Sequence, residues 1–420
     1  LTTREDELID RRELLAGAGA LALTAALPTP AWAGAADDAA EAALAAVAEA
    51  LLADYPENAT TLGLDAGDRA ALRSRLSDRS PAGQQALAAR ARERLARLRA
   101  IDPSPLAEPA KIDLDVVRTA HETALEGFAF PFGDVAVLNQ NWSYRNAPYP
   151  VSQNTGAFVE IPDLLDSSHK VENAADADAY LARLEAYAAA LDGETARLAH
   201  AASIGVVAPD FILDKTLHQQ RTVRAAPIAD WGLVTSLARR TAAMPGDYGA
   251  RAARLVAERV APAMDRQIAE LERQRAGASS DAGVWKLPDG AAYYAWALKA
   301  GTTTTMSPDA VHELGQAELR ELQARMDTIL REQGMTQGTV GARMAALGTR
   351  PDQLFPNTDA GRRQIIDYMN ARIADIRTRL PRAFATLVRG NLVVKRVPPE
   401  IEIGAPGAYA GAGSIDGTVP

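Results

Sequence analysis

The feature that most narrows the fold is the return of an apolar residue every three or four positions through long alanine-rich stretches. In residues 176–202, Tyr180, Leu184, Tyr187, Leu191 and Leu198 mark one helical face with charges opposite, and Gly205 and Pro209 close the stretch. Residues 35–54 repeat the pattern with Leu44, Val47 and Leu51 before Tyr55-Pro56 stops it. Behind the Ser80-Pro81 cap come Leu87, Ala91, Leu95 and Leu98, and from about Ala110 come Leu114, Val117, Ala124 and Phe128, with His121 on the same stripe. The arginines of the first of these two helices alternate with Glu93 and read as a solvated face. Residues 248–274 turn Leu255, Val256, Met264, Ile268 and Leu271 inward, and Pro262 is set to kink or divide that helix. Further on, Val311, Gly315, Leu319, Leu322, Met326 and Ile329 form another stripe. A last one holds Ile366, Met369, Ile373, Ile376 and Leu380. Gly315 within its stripe implies close approach by another helix or backbone.

The final forty residues change character. Residues 391–397 are β-branched and residues 400–403 alternate, so both read as short strands, followed by a Gly-rich run to Gly417. The expected class is therefore mainly α: a multi-helix array in two subdomains with a small β element near the C-terminus. At 420 residues the chain exceeds one ordinary core, and the Gly/Ser-rich hinge at Gly277 to Gly283 divides residues 34–280 from residues 281–420.

A net charge of -9 argues against a nucleic-acid partner, which would need a basic stripe. With no cysteine, disulfides, thiolate metal sites and a cysteine nucleophile are excluded. Residues 1–33 read as a twin-arginine-type signal peptide: Arg11-Arg12, an apolar Gly/Ala-rich run to Leu27, and the small-x-small triplet Ala31-Trp32-Ala33. Glu5, Asp6 and Glu7 depart from the usual positive start, and an uncleaved anchor is the alternative. The run is short for a bilayer, so a periplasmic or secreted protein without a membrane span is expected. The chain starts at Leu1 and stops at Pro420 without a closing helix, which reads as an incomplete C-terminal end.

Residues 284–320 are the most chemically varied. Trp285, Tyr293, Tyr294 and Trp296 cluster in a chain poor in aromatics, then come four threonines and a helix start with His312. These are either the wall of a pocket for a polar organic ligand or core rings beside a plain loop. Nucleotide loops and a G-x-S-x-G elbow are missing. The five histidines, at 121, 169, 200, 218 and 312, include no H-E-x-x-H pair, since Leu125 and Gln316 stand where its second histidine belongs. Residues alone name no reaction.

The phrases Leu287-Pro288-Asp289-Gly290-Ala291-Ala292-Tyr293-Tyr294, Thr302-Thr303 and His312-Glu313-Leu314-Gly315-Gln316-Ala317-Glu318 occur in order. Pro56-Glu57 to Leu62-Gly63 precedes them; Val397-Pro398-Pro399-Glu400-Ile401-Glu402 and Ala408-Tyr409 to Asp416-Gly417 follow. Together they resemble the bacterial family called domain of unknown function 885. The resemblance implies an exported or lipid-attached, mostly helical protein akin to zincin-type metallopeptidases, with zinc held by an H-E-x-x-P-G-H-H helix. That helix does not occur in these 420 residues, so the resemblance leaves the metal ligands and the general base unassigned, zinc being expected only in a longer protein. It further implies a peptide or small polar substrate. Tyr409 would be a carbonyl or oxyanion donor, with His312, Tyr293, Tyr294, Trp296 and Asp416 as substrate contacts. The rival expectation is a non-catalytic extracytoplasmic helical binding or scaffold protein.

Overall fold

A computed structural model describes residues 34–137, 146–385, 387 and 392–397. The described residues form fourteen α-helices. They are α1 (Ala35–Asp54), α2 (Pro56–Thr61), α3 (Pro81–Arg99), α4 (Glu108–Gly127), α5 (Ala157–Asp163), α6 (Ala174–Ser203), α7 (Asp210–Ala225), α8 (Gly232–Arg240), α9 (Tyr248–Leu255), α10 (Ala261–Arg275), α11 (Gly290–Thr302), α12 (Pro308–Glu332), α13 (Val340–Gly348) and α14 (Asp359–Arg379). They fall into two compact units, one reaching to Ala300 and the other beginning at Gly301.

Helix starts follow side-chain chemistry. The Ser80 hydroxyl accepts from the Gly83 N–H at 3.1 Å, Asn173 Oδ1 from Asp176 N–H at 3.1 Å, and the Ser307, Thr339 and Thr358 hydroxyls do the same for α12, α13 and α14. Each satisfies an N–H that the first helical turn leaves without an intrahelical acceptor. Proline is handled by a change of pitch: Pro262 follows a single π turn, Val256–Val260, that joins α9 to α10, and Pro162 in α5 precedes another, Leu164–Ser168. A wider turn absorbs the missing donor without ending the rod, so residues 248–275 run as one helical stretch.

The first unit is built on α6. Its Tyr180, Leu184, Tyr187 and Leu191 are fully buried among residues of α7, α8, α9 and α10, each such side chain contributing roughly 1.5–3 kcal/mol of burial. A second core joins α1, α3, α4 and α11 through Leu44, Leu51, Leu98, Leu114, Tyr293 and Trp296. Segment 276–283, which reads as a hinge in the sequence, is tied back by the Asp210 N–H donating to Ser279 O at 3.0 Å.

The second unit departs from its sequence reading. The stripes of α12 and α14 are predicted to face a core, yet Leu319, Leu322, Ile329, Met369 and Ile376 are exposed, and Leu330 is the one buried apolar side chain among the unit's described residues. Nothing lies within 4 Å of the position a Cβ on Gly315 would take.

The expected β element is overturned. Among the described residues there is no β-strand, only two isolated bridges, Asp134 with Ala147 and Ser152 with Thr155. Residues 392–397 have strand-favouring side chains but no ladder; β-branching favours a strand only where a neighbouring strand accepts its hydrogen bonds. Residues 400–403 and the Gly-rich run lie outside the described residues.

Gly193 marks where α6 meets the start of α3: a Cβ there would stand 2.8 Å from Ser80 N and 3.0 Å from Arg79 C. Alanine would gain about 1 kcal/mol of helix propensity but collide with backbone, an overpacking cost of about 1–3 kcal/mol. Gly193→Ala is expected to lower stability in urea denaturation, with an unchanged midpoint arguing that this approach is looser than the structure has it.

Candidate functional site

The aromatic cluster singled out by sequence divides in two. Tyr293 and Trp296, one helical turn apart on α11, are buried; Tyr294 and Trp285 are exposed. Tyr293 stacks on Phe132 with centroids 5.0 Å apart and meets Phe130 and Trp296 edge-on at 5.2 Å. Its hydroxyl donates to Asn146 O at 3.0 Å, and Trp296 Nε1–H donates to Thr123 O at 2.8 Å. Both polar ends are thus occupied by backbone carbonyls. The glycines beneath the rings make room: a Cβ on Gly127 would stand 2.1 Å from Trp296 Cζ2, and Gly133, at φ 96°, passes under the Tyr293 hydroxyl. Burial pushes the Tyr293 phenol well above its ordinary pKa. These rings seat α11 against α4 and the 130–133 segment, so the core alternative in the sequence describes the two that are buried.

His312 lies exposed in the second turn of α12, its Nε2 accepting from Gln316 Nε2 at 3.1 Å, a contact within one helix face. Tyr409 and Asp416 lie outside the described residues. The structure therefore brings Tyr293 and Trp296 together and puts none of the other expected site residues beside them within the first unit except the outward-facing Tyr294.

Two buried polar networks have the chemistry that the aromatic stretch lacks. In the first, Arg183 of α6 is fully buried and aims its guanidinium at the turns around α2. Nε donates to Arg75 O at 3.0 Å, and Nη2 to Thr60 Oγ1 at 2.6 Å and Leu72 O at 3.2 Å. Nη1 donates to His169 Nδ1 at 3.0 Å, which sets that ring's tautomer: Nε2 carries the proton and donates to Asp176 O at 3.0 Å. Thr60 in turn donates to Asp65 at 2.7 Å, and Arg73 joins Asp65 to Asp176. Burial, helped by Arg183 and Arg240, lowers the His169 pKa to about 4, and burial lowers that of Arg183 to about 10.

In the second network Glu194 of α6 accepts from Arg79 Nη1 at 2.9 Å and from the Ala157 N–H at 2.9 and 3.0 Å, while Arg79 Nη2 donates to Glu160 at 2.6 Å. Burial pushes the Glu194 carboxyl up, against the pull of Arg79 and of the α5 N-terminus. Close by along α6, Arg197 donates to Asp134 Oδ1 at 2.7 Å and Gly133 O at 2.8 Å. His121 is buried with Nδ1 donating to Val117 O at 2.8 Å, in the field of the Asp54–Arg94 pair. Arg94 is the buried exception among arginines that otherwise read as a solvated face.

Sequence reading missed Arg183, Glu194 and Arg197. Their signal was present: all three sit on the apolar stripe of the longest helix, where a charge demands a partner. A zinc site does not fit what is described, since no three histidine, aspartate or glutamate side chains converge among the described residues. His121 and His169 are committed to buried hydrogen bonds, and His200 and His218 stand exposed on their helices. A shallow groove between α3 and α4, lined by Leu95, Arg99, Glu122, Leu125 and Glu126, is spanned by the Arg99–Glu122 ion pair.

The family model of bacterial proteins of unknown function, DUF885, matches residues 56–420. The chain belongs to that family. No curated protein matches it. A crystal structure from Colwellia psychrerythraea, of a protein provisionally described as a lipoprotein, superposes with a TM-score of 0.80 at 21% identity, over 92% of this chain and 66% of that one. The likeness is one of fold, and this DUF885 chain spans less than two thirds of that relative's length.

The His169 shift has a pH consequence. A histidine whose folded pKa lies below its unfolded value of about 6.5 binds fewer protons when folded, so stability falls as pH drops from about 6.5 to about 4. The loss attributable to this one group is roughly 3 kcal/mol at most. His169→Gln, which keeps a neutral acceptor for Arg183, is expected to flatten that part of the stability profile in urea titrations at pH 7 and pH 4.5. An identical slope in both proteins would show the ring to be more solvated than described.

Proposed function

We propose that this DUF885 chain acts as a non-catalytic helical binding scaffold in the extracytoplasmic space. The observation that carries the reading is where the reactive side chains go. Arg183, His169, Glu194, Arg79, Arg197, Tyr293 and Trp296 all bond to carbonyls, N–H groups or one another inside the first unit. Groups used in this way hold loops to helices and do not face a substrate. An enzyme site would instead leave a nucleophile, an acid/base pair or a ligand set converging on a cleft. The extracytoplasmic location rests on the Arg11-Arg12 leader pattern and on the lipoprotein description of the fold relative. No helix among the described residues is long and apolar enough to cross a membrane.

A second reading is favoured by one observation: the relative's chain is half as long again as the span matched here. Under it, this chain is the helical part of a zinc-dependent peptidase whose metal-holding residues belong to the remaining third. No step can be derived through zinc from residues present here.

The two readings separate in a peptide-library assay on the purified 420-residue protein and on the full product of its gene, each with and without added zinc and chelator. The scaffold reading expects no cleavage above background from either. Cleavage by the longer product that chelator abolishes would establish the peptidase reading and refute the scaffold.

A further inference from the structure

The second unit has two long helices and almost no interior. On α12, Gly315, Leu319, Leu322, Met326 and Ile329 are spaced 4, 3, 4 and 3; on α14 and its C-cap, Ile366, Met369, Ile373, Ile376 and Leu380 are spaced 3, 4, 3 and 4. That alternation is the heptad seam by which one helix receives the side chains of another. Leu319 is 53% exposed, Ile329 57% and Ile376 58%, with Met326, Ile366, Ile373 and Leu380 half-buried, whereas the corresponding stripe of α6 is buried throughout. A helix of α12's length takes most of its stability from packing an apolar face, and here most of that face is open to solvent, Met326 alone on the seam being half-buried. Gly315 fits the same account: its missing side chain opens a place on the seam for close backbone approach, and nothing occupies it.

Scattered apolar exposure is ordinary, but two stripes at heptad spacing, each with large apolar side chains open to solvent, mark a surface made to be covered. The Colwellia structure indicates by what. It shares this fold, yet about a third of its chain lies outside the matched span. We infer that the α12 and α14 seams are the seat of that remaining third of the family fold, through amphipathic helices that set their own apolar faces into these two stripes, carried on the same polypeptide in the native gene product. This goes beyond the scaffold reading by naming what the scaffold holds, and it stands whether or not the assembled protein cleaves anything.

The test is amide hydrogen exchange, followed by mass spectrometry, on the 420-residue protein and on the full gene product, with molar mass from light scattering. In the 420-residue monomer, peptides from residues 311–332 and 365–380 are expected to exchange rapidly. In the full product the same peptides should slow on the order of a hundredfold or more, the response of helices drawn into a packed core. Leu319→Glu, at a side chain open to solvent here, should leave the melting temperature of the 420-residue protein unchanged and abolish the added protection in the longer one. The inference fails if the gene product ends at Pro420, if both proteins exchange these peptides equally, or if the 420-residue protein protects them by forming a dimer. None of these readouts depends on peptide cleavage, so the outcome is separate from that of the functional assay.

Discussion

The first unit depends on burying charge along one helix. Arg183, Glu194 and Arg197 all lie on the inward stripe of α6; at 100° per residue, Arg183 and Glu194 point within roughly 20° of each other. Desolvating such groups costs several kcal/mol each, and the cost is offset only by complete hydrogen bonding. The structure meets that demand by bringing a different irregular segment to each charge. The turns around α2 supply carbonyls and Thr60 to Arg183; Arg79 and the α5 N-terminus serve Glu194; the 133–134 turn serves Arg197. Segments that carry little apolar area of their own are thereby fixed at defined points along a thirty-residue rod.

Apolar packing alone would not give the same outcome. An alanine-rich helix offers a shallow surface, against which neighbours can slide with little change in burial. A guanidinium that must find carbonyls, a threonine hydroxyl and an imidazole has one register. The close approach at Gly193, where the α6 backbone passes the Arg79–Ser80 link, stands beside the bond from Arg79 to Glu194. This differs from the usual division in which apolar residues choose the fold and polar ones decorate it: here buried ion pairs determine where loops attach, and the tyrosines and leucines of the same stripe hold the rod among α7 to α10. The candidate site suffers the same fate. Among the described residues, His169, Glu194, Tyr293 and Trp296 serve as attachments between segments.

Much of the helical architecture was legible because a 3.6-residue period needs no tertiary information. The stripes at 176–202, 81–99 and 248–274 correspond to α6, α3 and the joined α9 and α10, and Ser80, Ser307 and Thr358 cap where their chemistry puts them. Periodicity does not report what a face meets. The same kind of pattern is buried on α6 and exposed on α12 and α14, since burial depends on a partner that the local sequence does not name. Strand propensity fails for the same reason at residues 392–397. The aromatic stretch misled differently: Tyr293 and Tyr294 are adjacent letters, but one turns inward under Gly133 and the other outward, a distinction set by helix phase and by glycines 160 positions away. Arg183 was readable in principle, as a cation on an apolar stripe, had that conflict been given as much weight as the rings.

The two units therefore pose opposite physical problems. In the first, the charges of α6 that would be costly to bury are bonded to neighbouring segments, and the apolar stripe beside them is buried. In the second, the capped helix starts and the Arg343–Asp327 pair, which ties α13 to α12, give local order without an interior. Caps and single ion pairs contribute about 1 kcal/mol apiece, too little to fix the positions of two helices of more than twenty residues against chain entropy. Apolar contact has to supply the rest, and the seams show where. A fold relative with about a third of its own chain beyond the shared span agrees with one closed and one open core. The open seams of α12 and α14, unlike the buried rings of the aromatic stretch, are the apolar surface this DUF885 chain leaves uncovered among its described residues.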